Sequence, residues 1–98
     1  MQYIITAYDA TDDKALDRRM AARPEHLSNL EEVKEYAKVL AAGGLLTEEG
    51  KMKGSVLIMD FDSREDLDKY MASEPYIREK VWENITIESF NTVILGDK

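Results

Sequence analysis

The strongest constraint on how this 98-residue chain folds is the run Ser55-Val56-Leu57-Ile58-Met59-Asp60-Phe61, entered through Gly54. Its β-branched and large apolar residues read as a strand that is apolar on both faces apart from Asp60. A strand of that kind has to be covered on both sides. A chain of this length is expected to make one domain, spanning 1–98, which removes roughly 60 to 65% of its unfolded surface from water. It can therefore build one core but not two.

The elements around the strand follow from spacing. Tyr3-Ile4-Ile5-Thr6-Ala7-Tyr8 is rich in β-formers and runs into a polar stretch from Asp9 to Asp13, which predicts a first strand. Residues 14–22 predict a short helical turn. Leu27, Leu30, Val33, Ala37, Leu40 and Ala41 recur at three- and four-residue spacing, predicting an amphipathic helix that starts at Pro24 and stops at Gly43-Gly44. Leu45-Leu46-Thr47 is a short strand, followed by a charged turn from Glu48 to Lys53. Ser63-Arg64-Glu65-Asp66 has capping-box spacing, and Leu67, Tyr70 and Met71 mark the buried side of the next helix, which Pro75 ends or offsets. Tyr76-Ile77 and Val81-Trp82 suit a further helical turn, and Ile85 to Leu95 a last, long strand.

The order is β-α-β-β-α-β, an α+β ferredoxin-like sandwich with two helices on one face of a four-stranded antiparallel sheet. Either the Val56/Ile58 set or the Leu57/Met59/Phe61 set is then left on the open face. An apolar patch of that size marks an association surface, and a two-fold homodimer packed sheet to sheet is the commonest solution.

Charge and composition narrow the function. A net charge of -7 with no Lys/Arg cluster repels phosphate backbones and anionic headgroups, so nucleic acid and membrane are not expected partners. The absence of cysteine removes disulfides, thiolate catalysis and cysteine-bound zinc or iron-sulfur sites, and a single histidine weakens any transition-metal site. Met1 to Thr6 lacks the basic start and apolar length of a signal sequence, and no run reaches membrane-span length, so the expected location is cytoplasmic.

The one histidine, His26, is the only side chain whose ordinary pKa lies near neutrality. In a helix beginning at Pro24 it would stand in the first turn, where free N–H groups and the macrodipole, with Arg19 and Arg23, favour the neutral ring. A carboxylate, Asp9 or Glu74, would oppose them and fix the tautomer. That arrangement can move a proton while the arginines bind an anionic or enolic oxygen. Plainer roles stand beside it. Arg19 and Arg23 can pair with Asp17, Glu25 or other exposed acids, and Glu74 can cap the turn before Pro75. Ser55 lacks the turn of a nucleophile elbow. Tyr76 and Trp82 suit packing with a polar handle, and Met20, Met52, Met59 and Met71 suit core filling.

Arg19-x3-Arg23-x2-His26-Leu27, Ala42-Gly43, Gly54-Ser55 and Glu74-Pro75-Tyr76 together resemble the YciI-like family, also called the YCII-related domain. The resemblance runs from the first strand to the last. It implies a ferredoxin-like fold of the dimeric α+β barrel type, with an acid/base site built around a histidine and an aspartate. The family's usual Asp-Pro-Tyr reads Glu-Pro-Tyr here, a glycine that commonly follows is absent from Tyr76 to Val81, and the loop between the second and third strands is short. By this resemblance His26 with Glu74 or Asp9 is the catalytic set, and Arg19, Arg23, Ser55 and Tyr76 bind substrate. The expected function is cofactor-independent proton transfer of lyase or isomerase type on a small anionic or cyclic organic molecule. A cofactor-free monooxygenase and a noncatalytic ligand-binding or regulatory dimer are the alternatives.

Overall fold

The structure, a computed structural model, describes residues 1–96. Four strands, β1 (Gln2–Asp9), β2 (Ala37–Leu46), β3 (Met52–Phe61) and β4 (Trp82–Ser89), form one antiparallel sheet in the order β2-β3-β1-β4. The helices are α1 (Ala15–Glu32), α2 (Arg64–Ser73) and the short α3 (Pro75–Arg78), with a 3-10 turn at Val33–Glu35 after α1. This is the expected ferredoxin-like α+β sandwich.

Strand alternation divides the sheet into two unlike faces. Tyr3, Ile5, Ala7 and Asp9 of β1, with Ser55, Leu57, Met59 and Phe61 of β3, are buried under the helices. Leu30, Val33, Leu67, Tyr70 and Tyr76 complete that core. Of the two candidate open-face sets, it is Val56 and Ile58 that lie on the other side. They pair with Thr6 and Ile4 of β1 and remain half-buried.

Three boundaries differ from the sequence expectation. α1 begins at Ala15 and ends at Glu32, so the separate turn at 14–22 is its first half and Pro24 lies inside it. Residues 37–46, expected to carry the helix to Gly43-Gly44 and then a short strand, form β2 throughout. Their apolar spacing fits a helix, but the strand fills the free edge of β3 and gains a ladder of backbone hydrogen bonds. Register shifts at Val39/Ala41 and Leu45/Leu46 let this edge strand bend. Finally, Trp82 opens β4 rather than closing a helical turn, and β4 stops at Ser89, not Leu95. Val93 and Ile94 beyond it are more than four-fifths exposed.

The two predicted helix starts at Ser63 and Pro75 are present. The Ser63 hydroxyl accepts the Asp66 amide at 3.2 Å and caps α2. Glu74 caps α3 by accepting the Tyr76 N–H, and Pro75 sits at the first position. Among the described residues no helix is long and apolar enough to cross a membrane.

Candidate functional site

α1 turns one stripe toward the sheet, made of Ala15, Arg19, Ala22, His26 and Leu30. Their spacing is that of one helix face, and two of the five are polar. Both lie against the polar end of the buried sheet face, where β1 and β3 present Asp9 and Ser55. His26 is thus in the second half of α1 and not in its first turn, so the helix N-terminus does not act on it. Its local field comes from side chains.

Nδ1 of His26 lies 2.6 Å from Oε1 of Glu74, whose side chain is fully buried. The same oxygen accepts the Tyr76 N–H at 3.0 Å, and Oε2 accepts the Tyr70 hydroxyl. An ionised carboxylate, which only accepts, satisfies all three donors together. That assigns a proton to Nδ1, and in the neutral ring the lone pair is then on Nε2, which has no hydrogen-bond partner among the described residues. The imidazole stacks on Tyr76, with centroids 3.9 Å apart and planes 10° from parallel, and meets the edge of Trp82 at 6.0 Å.

The second cluster holds Arg19. One guanidinium nitrogen donates to both oxygens of Asp9 at 2.9 Å, and another donates to the Ser55 hydroxyl at 3.0 Å. The Trp82 indole N–H donates to the same hydroxyl at 3.1 Å. Asp9 therefore belongs to Arg19, and Glu74 is the carboxylate on His26. The exposed acids Asp17 and Glu25 do not pair with Arg19, and Ser55 is a hydrogen-bonded hinge between Arg19 and Trp82. Arg19 also sits 5.0 Å over the Tyr76 ring, which joins the two clusters. Burial pushes the Tyr76 hydroxyl above its ordinary pKa, against the pull of Arg19 and Arg23. Burial and the negative charge of Glu74 push Tyr70 much further in the same direction.

Arg23 is exposed and makes no ion pair among the described residues. It stands at a cavity of about 130 Å³ that Arg19, His26, Ser55 and Tyr76 also line, with Gly43 and Gly44 of β2 opposite. A Cβ on Gly44 would stand 2.4 Å from Sδ of Met52, so glycine there lets Met52 close that side. Met52 is consequently a wall of the cavity and Met20 is exposed, while Met59 fills the core as expected. Among the described residues no cluster of histidine and acids could hold a metal ion.

Tyr70 is the member that sequence reasoning placed only in the core. Its spacing from Glu74, one helical turn, was the available signal. Arg19 and His26 were legible as residue types, but their place on one buried stripe of α1 was not, because apolar periodicity does not register polar side chains.

Comparison with known proteins agrees with this architecture. The family model for the YCII-related domain matches residues 1–91. Protein YciI of Escherichia coli is 28% identical over 99 residues, covering 95% of this chain and 99% of its own length. Among solved structures, 5-chloro-2-hydroxyhydroquinone dehydrochlorinase from Burkholderia phenoliruptrix, in complex with 2,5-dihydroxybenzoquinone, superposes with a TM-score of 0.78 at 24% identity. It covers 93% of this chain and 94% of its own. A dimeric ferredoxin-like protein of unknown function from Jannaschia sp. gives a TM-score of 0.57 at 16% identity, over 93% and 98% of the two chains. The family match extends from β1 past the end of β4, and the chain belongs to the YCII-related domain family.

Proposed function

We propose that this chain is a homodimeric, cofactor-independent enzyme that transfers a proton on a small anionic or cyclic organic molecule. The observation that carries this reading is the pairing of His26 Nδ1 with the buried Glu74 carboxylate while Nε2 is left without a partner at the cavity. Nε2 accepts the proton as a C–H or O–H bond of the substrate breaks, and the electron pair moves toward an oxygen facing Arg23. Glu74 stabilises the imidazolium that forms and keeps the ring oriented. A leaving group then departs in a lyase reaction, or the proton returns to a different atom in an isomerase. Arg19, already neutralised by Asp9, shapes the site through Ser55 and Tyr76, so Arg23 is the cation available to a substrate anion.

The dehydrochlorinase fold relative suggests hydroxylated quinols as the first probes. A cofactor-free monooxygenase would need an extended apolar pocket, and a 130 Å³ cavity bearing two arginines, a histidine and a serine fits acid–base chemistry better. The dimer rests on the open sheet face, where Ile4, Val56 and Ile58 form an apolar patch, and on the dimeric fold relative.

Chloride release from 5-chloro-2-hydroxyhydroquinone, and turnover across a panel of related quinols, tests the reading. The wild-type protein should turn over at least one, and His26→Asn should slow it by about 10²- to 10⁴-fold. Turnover retained in His26→Asn would overturn it. Ligand binding without turnover in either form would favour a noncatalytic binding module instead.

A further inference from the structure

Tyr70 lies on the last turn of α2, four residues before Glu74, with no measurable exposure and its ring 6.3 Å from that of Phe61. Its hydroxyl is donated to Oε2 of Glu74. We infer that Tyr70 is a positioning residue for the His26 site: it holds the Glu74 carboxylate in the one orientation that meets Nδ1, and so fixes the tautomer that leaves Nε2 open to the cavity. The inference rests on the acid–base reading above and adds a residue to it.

The reasoning begins with the glutamate. Its side chain has one more rotatable bond than an aspartate would, and that terminal bond has a broad torsional well. Two donors, the Tyr76 N–H and His26, converge on Oε1. Among the described residues Oε2 has Tyr70 alone. Without that hydroxyl, a charged oxygen would sit in the core with no donor, and the carboxylate would rotate or take up a proton to relieve it. Either response loosens the demand that Nδ1 donate. The groups facing the imidazole are Glu74, the Tyr76 ring, the Trp82 edge and, at the cavity, Arg19 and Arg23. None of the others accepts a hydrogen bond from Nδ1. Tyr70 is sealed from the cavity, which makes it an anchor and not a group that touches substrate.

His26 is the one imidazole in the chain, so its ring nitrogens can be read without assignment in a ¹⁵N-labelled sample. At the alkaline plateau of a pH series, where the ring is neutral, the wild-type protein should show one protonated and one unprotonated nitrogen, well separated. In Tyr70→Phe, which keeps the ring, the two resonances should move toward each other as tautomers mix. An unchanged separation in a variant with a native amide spectrum would overturn the inference. Should Tyr70→Phe not fold, the wild-type protein still decides. The Tyr70 hydroxyl proton should appear as a far-downfield, slowly exchanging resonance, and its absence would overturn the inference. Turnover surviving in His26→Asn would sink the acid–base reading but leave these spectra untouched. Unchanged ring nitrogens would sink the Tyr70 role and leave that reading standing.

Discussion

Arg19 occupies a helix position that would ordinarily bury an apolar side chain, and Asp9 makes that tolerable. Both side chains are almost fully buried, at 5% and 6% exposure, with two 2.9 Å contacts between them. Such a pair adds little net stability over an apolar substitute, but removing one partner strands a charge. Asp9→Ala should therefore destabilise the fold by about 3–5 kcal/mol, read from the urea midpoint, whereas a surface acid such as Asp68 replaced by alanine should cost under about 1 kcal/mol. Equal losses would mean that Arg19 finds water or another acceptor. At this scale, residue identity and order were enough to nominate His26, Glu74, Asp9, Arg19, Arg23, Ser55 and Tyr76. They were not enough to sort the two carboxylates, because β1 and the α2–α3 junction approach α1 from different sides, a fact of packing and not of spacing.

Elements show where local rules prevail and where they yield. The cap at Ser63 and the Pro75 start of α3 are local hydrogen-bond chemistry, and both are legible in the sequence. Residues 37–46 are not, since their apolar spacing suits a helix and only the free edge of β3 makes a strand of them. Pro24 is the converse case. It sits in the interior of α1, where proline removes an N–H, and the tertiary burial of the Arg19–His26 face keeps the helix continuous through it. Past α3, Lys80 has φ of 61°, the left-handed region that glycine enters most easily. Lysine holds that conformation at a cost. Lys80→Gly should raise stability by about 0.5–1 kcal/mol, seen as a higher Tm in thermal unfolding. A lower Tm would show that the lysine side chain contributes more than its backbone strain costs.

For the whole molecule, the consequence of a strand apolar on both sides is a sheet with one finished face. Leu57, Met59 and Phe61 are covered by the chain's own helices, while Ile58 and Val56 look outward beside Ile4 and Thr6. Each isoleucine buried there would contribute roughly 1.5–3 kcal/mol, and a two-fold interface counts it twice. With the proposed homodimer, the wild type should sediment as a dimer and Ile58→Asp as a monomer at the same concentration, with the circular dichroism of the protomer retained. A dimeric Ile58→Asp would place the interface elsewhere.

Alternation, caps and turn residues determined the β-α-β-β-α-β order, and residue identity with the order of short markers nominated the side chains of the site, because each is carried by residues a few positions apart. The length of α1, the conversion of 37–46 to a strand, and the assignment of Glu74 to His26 and Asp9 to Arg19 were decided only in three dimensions. Each depends on which hydrogen-bonding groups a distant element leaves unpaired, and neighbours in the sequence carry no record of that.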